Sequence, residues 1–224
     1  MCGGTIMRYD IQKLDVSHIG QLIVLQQQVV AALEDPAILQ PLDEEELRYI
    51  LEGNGVMIGL FDVDKMIAFR ALLEPPIDDE HLAYDISYPH VDKVIYQEIS
   101  NVHPAYRGQN LQQQMATLIM EYVDTTKHTM MCATVMPFNI ASLKDKFAQG
   151  MYVAALKLKY GGKLRYVFAK SLVEQEQWQQ EDRIIDMAQT AEQQQALREG
   201  YLGVAMYQQL DKWYVVYQKR AAKN

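Results

Sequence analysis

The chain has 224 residues, enough for one large domain or a domain with an appendage, and ample for a packed core. Hydrophobic residues make up 49% and charged residues 22%, an ordinary globular balance, and no apolar run is long enough to span a bilayer. The net charge of −8 argues against non-specific nucleic-acid binding, which needs a basic surface.

Taken in order, Met7–Leu14 alternates loosely and reads as a first strand. Ser17 or Asp15 can cap the helix that follows, whose apolar face is Ile19, Leu22, Ile23, Val29, Val30 and Leu33. Asp43 with Glu46 forms a capping box for a second helix, and the acidic first turn suits its dipole. Val56–Phe61 and Met66–Leu73 read as a hairpin turning at Asp62–Lys65. Glu74–Lys93 has prolines, acids and aromatics but no period, and a loop that long in a compact domain is usually functional. Val94–Val102 returns to strand and Pro104 stops it. Leu111, Met115, Leu118, Ile119, Tyr122 and Val123 form a helical stripe, and Met130–Val135 is a short apolar strand. Asn139–Gln149 reads as a helix ended by Gly150, and Val153–Lys159 with Lys163–Leu172 as a long hairpin through Tyr160-Gly161-Gly162.

After Leu172 the composition shifts. Val173–Arg198 is rich in Gln and Glu, and Trp178, Ile184, Ile185, Met187, Ala188 and Leu197 argue for one or two docked helices. Gly203–Gln208 and Trp213–Gln218 then suggest a terminal hairpin. The order is mixed α/β without the strict alternation of a doubly wound fold. The expected organisation is a domain over residues 1–172 and an extension over 173–224. The extension has two readings: cover for a sheet edge, or a contact between two copies in a homodimer.

Cys2 and Cys132 do not make a disulfide framework, so a reducing cytoplasm is the expected compartment, and a buried structural role is expected for Cys132. The five histidines show no HxH, HExxH or accompanying CxxC spacing, so no metal site is expected.

The stretch "HPAYRGQNLQQQM", residues 103–115, carries the chemistry. A strand ends, a turn follows and a helix begins, which is the arrangement that aims backbone N–H groups at an anion. Arg107 adds a fixed charge, Gly108 permits positive φ or close approach, and Asn110 suits a left-handed position. GxxxxGK[ST] and GxGxxG are both absent. An ordinary surface turn with a solvated Arg is the competing reading of this segment alone.

With its neighbours, the segment resembles the GCN5-related N-acetyltransferase (GNAT) superfamily. The family's cofactor loop follows Q/R-x-x-G-x-G/A. Here Arg107 stands at its first position, Asn110 at the first glycine and Gln112 at the Gly/Ala position. "VHPAYRGQNL" resembles the run leading into that loop, "NIASLKDKFAQGM" resembles the second conserved helix, and "KYGGKLRYVFAKSL" resembles the final hairpin of one branch. The resemblance covers residues 7–172. It implies a central mixed, largely antiparallel twisted sheet flanked by helices, opened between the strands ending at Val102 and starting at Met130, with acetyl-CoA as acyl-donor cosubstrate.

It further implies transfer of an acetyl group to a primary amine of a small molecule or peptide, by direct attack in a ternary complex. Backbone N–H groups of Gln109, Asn110, Leu111 and Gln112 would hold the pyrophosphate with Arg107 and Gly108. Those near Asn101, Val102 and His103 would meet the oxyanion, and Asn139 and Ser142 would reach the pantetheine arm. Glu98, a carboxylate within a strand, is the candidate general base, the competing reading being a side chain that faces solvent or pairs with an Arg or Lys. The tyrosine that many relatives carry seven residues after the Asn is here Lys146; Tyr152 or Tyr160 could substitute as general acid, and nothing selects either. Asp78, Asp79, Glu80, Asp85 and Asp92 suggest an approach for a cationic amine, and Tyr84 and Tyr88 could contact a ligand or pin the loop. Two other functions compete: a non-catalytic acyl-CoA-binding or regulatory module on the same fold, and an interaction protein working through its Gln-rich tail.

Overall fold

The computed structural model describes residues 8–36 and 39–222. Cys2, and Met7 at the start of the expected first strand, lie outside the described residues. The chain divides into two compact units, one reaching to Glu74 and resuming over Glu98–Val123, the other formed by Pro75–Gln97 and the chain from Asp124 onward.

In the first unit, β1 (Asp10–Lys13) leads through a 3-10 turn at Val16–His18 into α1 (Ile19–Ala31). Asp15 makes the cap, its carboxylate accepting from the Ser17 N–H at 2.9 Å. α2 (Glu44–Leu51) begins with the expected capping box: Asp43 accepts from the Glu46 N–H, and Glu46 accepts from the Asp43 N–H. β2 (Gly55–Asp62) and β3 (Lys65–Leu73) form the expected hairpin, and β1 lies antiparallel to β2, with Lys13 opposite Ile58. Leu22, Leu25 and Val29 of α1 with Leu47 and Ile50 of α2 pack on Met57, Phe69 and Ala71. Each buried Leu, Ile, Val, Met or Phe among them contributes about 1.5–3 kcal/mol. Gln26, buried within α1, binds both the N–H and the carbonyl of Leu42, fixing the chain ahead of α2.

The Glu74–Lys93 segment contains α3 (Leu82–Asp85) and a 3-10 turn at Val91–Lys93. β4 (Val94–Val102) then gives Val94–Gln97 to the second unit and Glu98–Val102 to the first. A 3-10 turn at Pro104–Tyr106 precedes α4 (Leu111–Leu118). The helical stripe extends to Val123 in sequence, but the α-helix stops at Leu118 and Ile119–Tyr122 tightens into a 3-10 turn, as helix ends often do.

In the second unit, β5 (Met130–Val135) runs parallel to β4, with Val94 opposite Met130 and Tyr96 opposite Cys132. This pairing ends at Tyr96, although β4 continues to Val102 and β5 to Val135. α5 (Ile140–Ala148) is followed by β6 (Tyr152–Lys159) and β7 (Lys163–Ser171), a hairpin whose β7 pairs antiparallel with β5. Cys132 is fully buried, and burial pushes its thiol well above the usual range.

The tail departs from the helical expectation. Arg183–Asp186 is a strand, β8, and only Thr190–Arg198 is helical, α6. The β-branched pair Ile184–Ile185 decides it: Ile185 turns inward, Ile184 outward, and the two lie opposite Val216 and Val215. β9 (Leu202–Gln209) and β10 (Lys212–Gln218) form the expected hairpin. β9 joins β6 where Val153 faces Gly203; a Cβ on Gly203 would stand 2.9 Å from Val153 Cβ, so only glycine fits this approach. The strand order is β1-β2-β3-β4 in the first unit and β4-β5-β7-β6-β9-β10-β8 in the second. β4 and β5 are parallel, whereas β1–β2, β2–β3, β5–β7, β6–β7, β6–β9, β9–β10 and β10–β8 are antiparallel, a mixed α/β arrangement. Among the described residues, no helix is long and apolar enough to cross a membrane.

Candidate functional site

The loop joining β4 to α4 is shaped by two left-handed residues. Gly108 has φ of 79° and Asn110 has φ of 60°, so the one glycine and the one asparagine fall where the backbone requires them. Leu111 and Met115 are buried and anchor the helix behind the turn. None of the backbone N–H groups from Gly108 to Gln113 donates to a protein acceptor among the described residues. They form a row of unmet donors at a helix N-terminus, as the first turn of a helix leaves them. A Cβ on Gly108 would meet nothing within 4 Å, so the backbone there is open to a ligand.

Arg107 is exposed and its guanidinium makes no protein hydrogen bond among the described residues. The Gln112 side chain is half-buried. Gln109 is held at two points: its Oε1 accepts from the Tyr9 hydroxyl at 2.9 Å, and its backbone carbonyl accepts from Gln114 Nε2 at 3.1 Å. Tyr106 donates to Asp62 Oδ2 at 2.8 Å and meets the Tyr9 ring edge-on at 5.8 Å. Tyr9 and Gln109 are 100 positions apart, and no pattern in the sequence links them.

His103 has its Nδ1 3.2 Å from the Ala105 N–H and its Nε2 3.2 Å from Lys65 Nζ. Burial lowers its pKa, and the charges of Lys65 and Arg107 lower it further, both favouring the neutral ring. The His103 backbone N–H donates to the Ile67 carbonyl at 2.8 Å and is spent within the sheet. Val102 is half-buried. Asn101 is 1% exposed, and neither polar atom of its carboxamide has a protein partner. A buried amide left without a partner costs about 1–3 kcal/mol. Glu98 is open to solvent, but surrounding protein raises its pKa by desolvation, with a smaller push from the Glu46 carboxylate. Its exposure limits the size of that shift.

Asn139 and Ser142 belong to the second unit. Asn139 caps α5, its Oδ1 accepting from the Ser142 N–H at 3.3 Å. The Lys146 side chain is 12% exposed and its Nζ lies 3.0 Å from Asp145 Oδ2.

Two acids of the loop, Asp85 and Glu80, are paired with lysines of their own unit. Asp85, with a 5% exposed side chain, lies 2.6 Å from Lys157 and 2.7 Å from Lys159. Lys159 also reaches the Glu80 carboxylate at 3.0 Å and donates to its carbonyl at 2.8 Å. Asp78, Asp79 and Asp92 remain exposed. Tyr88 is bonded to Thr129 at 2.7 Å and pins the loop, whereas Tyr84 is exposed.

No protein-family profile matches this chain, and no curated protein sequence matches it. Solved structures do. The Salmonella typhimurium protein yncA, solved with its cofactor acetyl-CoA, shares 14% identity over 75% of this chain and 96% of its own, with a TM-score of 0.57. An acetyltransferase of the GNAT family from Streptococcus pneumoniae shares 13% over 74% and 100%, with a TM-score of 0.56. The ribosomal-protein-S18-alanine N-acetyltransferase of Escherichia coli shares 14% over 75% and 96%, with a TM-score of 0.56. The likeness is one of architecture: the chain has the GNAT fold.

Proposed function

We propose, taking that fold as premise, that this chain binds acetyl-CoA at the Arg107–Gln112 loop. It transfers the acetyl group to a primary amine of a small molecule or peptide, with both substrates bound. The observation that carries the reading is the row of unmet N–H groups from Gly108 to Gln113 at the head of α4. Acetyl-CoA supplies a thioester carbonyl open to attack by an amine.

The chain's part is to bind, orient and move protons. The Gly108–Gln113 donors take up the diphosphate and Arg107 adds a charge-assisted bond. The backbone N–H groups of Asn101 and Val102 are assigned the thioester carbonyl oxygen, because the His103 N–H already donates to the Ile67 carbonyl. The unpartnered Asn101 carboxamide offers a further bond to the cofactor's polar arm. Glu98 accepts the proton of the attacking amine, directly or through water. Because its pKa is raised, its basic form is lost at a higher pH than that of an unperturbed glutamate, and activity falls as pH drops through that value. A cationic acceptor would be met by Asp78, Asp79 and Asp92.

A binding module without turnover is favoured by one observation: Lys146, standing where the family's helix carries a tyrosine, is tied to Asp145. Calorimetry with acetyl-CoA and longer acyl-CoAs, beside a thiol-release assay over a panel of amines, separates the two. Binding with amine-dependent thiol release supports the transferase, and binding without release over the whole panel supports the module. No binding overturns both. Glu98→Gln should cost about 10²–10⁴ in kcat and remove the acid limb of the pH profile; unchanged turnover would remove Glu98 from the mechanism.

A further inference from the structure

A loop with one glycine needs another means of holding its shape. In this chain the Asn110 position is left-handed without a side-chain capping bond, and Arg107 to Asn110 are all exposed. Gln109 sits between the two left-handed residues. Both of its carbonyl oxygens are fixed from outside the loop, one by the Tyr9 hydroxyl and one by the Gln114 side chain. Tyr9 is itself 8% exposed, set edge-on to Tyr106 and covered by the Arg8 guanidinium 5.8 Å from its ring centre. Tyr106 is tied to Asp62 at the β2 end, and Lys65 Nζ stands 5.9 Å from its ring centre. The chain entering β1, the β2–β3 turn and the first turn of α4 thus converge on one loop residue and its neighbour.

We infer that Tyr9 and Gln114 are positioning residues for the phosphate loop: through Gln109 they keep its N–H groups aimed at the ligand before it arrives. This rests on acetyl-CoA being the ligand of that loop. A donor row ordered in advance binds more tightly than one that must be ordered on binding, because the conformational entropy has already been lost in folding. The side chains brace the loop, and the backbone makes the contact.

The test uses the full chain with acetyl-CoA as probe. Tyr9→Phe keeps the ring and its packing and removes only the hydroxyl. Its Kd for acetyl-CoA by calorimetry should weaken by about threefold to tenfold, the worth of one hydrogen bond. In turnover, KM for acetyl-CoA should rise with kcat unchanged. Gln109→Met should produce a loss of the same size, and the double variant no further loss, because both remove one bond. In the ligand-free protein, NMR order parameters of the Gly108–Gln112 amides should fall in Tyr9→Phe, while melting stays near that of wild type. Unchanged affinity and unchanged order parameters in Tyr9→Phe overturn the inference and leave the cofactor reading standing. Absence of acetyl-CoA binding by wild type overturns the cofactor reading itself and removes the purpose given to the brace.

Discussion

Replacing Lys159 by Met tests the electrostatic account of the acidic loop. Its ammonium is 3% exposed and serves Asp85, also almost buried, and Glu80, whose side chain is 59% exposed. Breaking a buried pair by removing one partner costs about 3–5 kcal/mol, because the other charge stays buried and uncompensated. Here Asp85 keeps Lys157, which is half exposed at 2.6 Å, so the cost is reduced. Glu80 adds only what a surface pair is worth, about 0–1 kcal/mol. Lys159→Met should therefore lose about 2–3 kcal/mol in urea unfolding, a fall in Tm of about 4–12 °C for a chain of this size.

The pH dependence has a definite sign. Burial alone would lower the Lys159 pKa, but the bonds to Asp85 and Glu80 outweigh it and the pKa is raised. Its stabilisation is therefore complete below the ordinary lysine range and is lost as pH rises through the raised value. The gap between variant and wild type should be flat from about pH 6 to 9 and close only in strong alkali. Lys159→Met/Asp85→Leu should recover most of the loss. A cost below about 1 kcal/mol, or a double variant no more stable than the single, would refute the reasoning.

Gln193 is fully buried, its Oε1 accepting from Tyr166 at 2.6 Å and Tyr217 at 3.0 Å and its Nε2 donating to the Met187 carbonyl at 2.8 Å. Gln193→Leu leaves those groups unpaired and should cost about 2–4 kcal/mol by chemical denaturation. Asn101→Leu removes a carboxamide with no protein partner, so stability should hold or rise while acetyl-CoA affinity drops by about tenfold; a stability loss with unchanged affinity would make Asn101 a structural residue only.

Much of the framework could be read from local chemistry. Asp43 and Glu46 announce their capping box by spacing alone, Gly150 marks the end of α5, and Tyr160-Gly161-Gly162 marks the turn of the long hairpin. These features depend on residues a few positions apart, so a linear pattern contains them. The Gln-rich tail misleads for the opposite reason. Gln and Glu favour a helix locally, but Ile184 and Ile185 meet Val216 and Val215 some thirty positions on, and that pairing overrides propensity.

The same division runs through the candidate site. The sequence by itself determined that a strand, a turn with Gly108 and Asn110, and a helix follow one another, because left-handed φ and helix entry are properties of neighbouring residues. Only the tertiary structure decided that Tyr9 braces Gln109, that the His103 N–H is already spent on Ile67, that Lys146 is held by Asp145, and that Lys159 neutralises Asp85. The first, second and fourth join positions far apart in the chain. Lys146 and Asp145 are neighbours in sequence, but the burial that makes their pairing matter is set by what the rest of the unit packs around them.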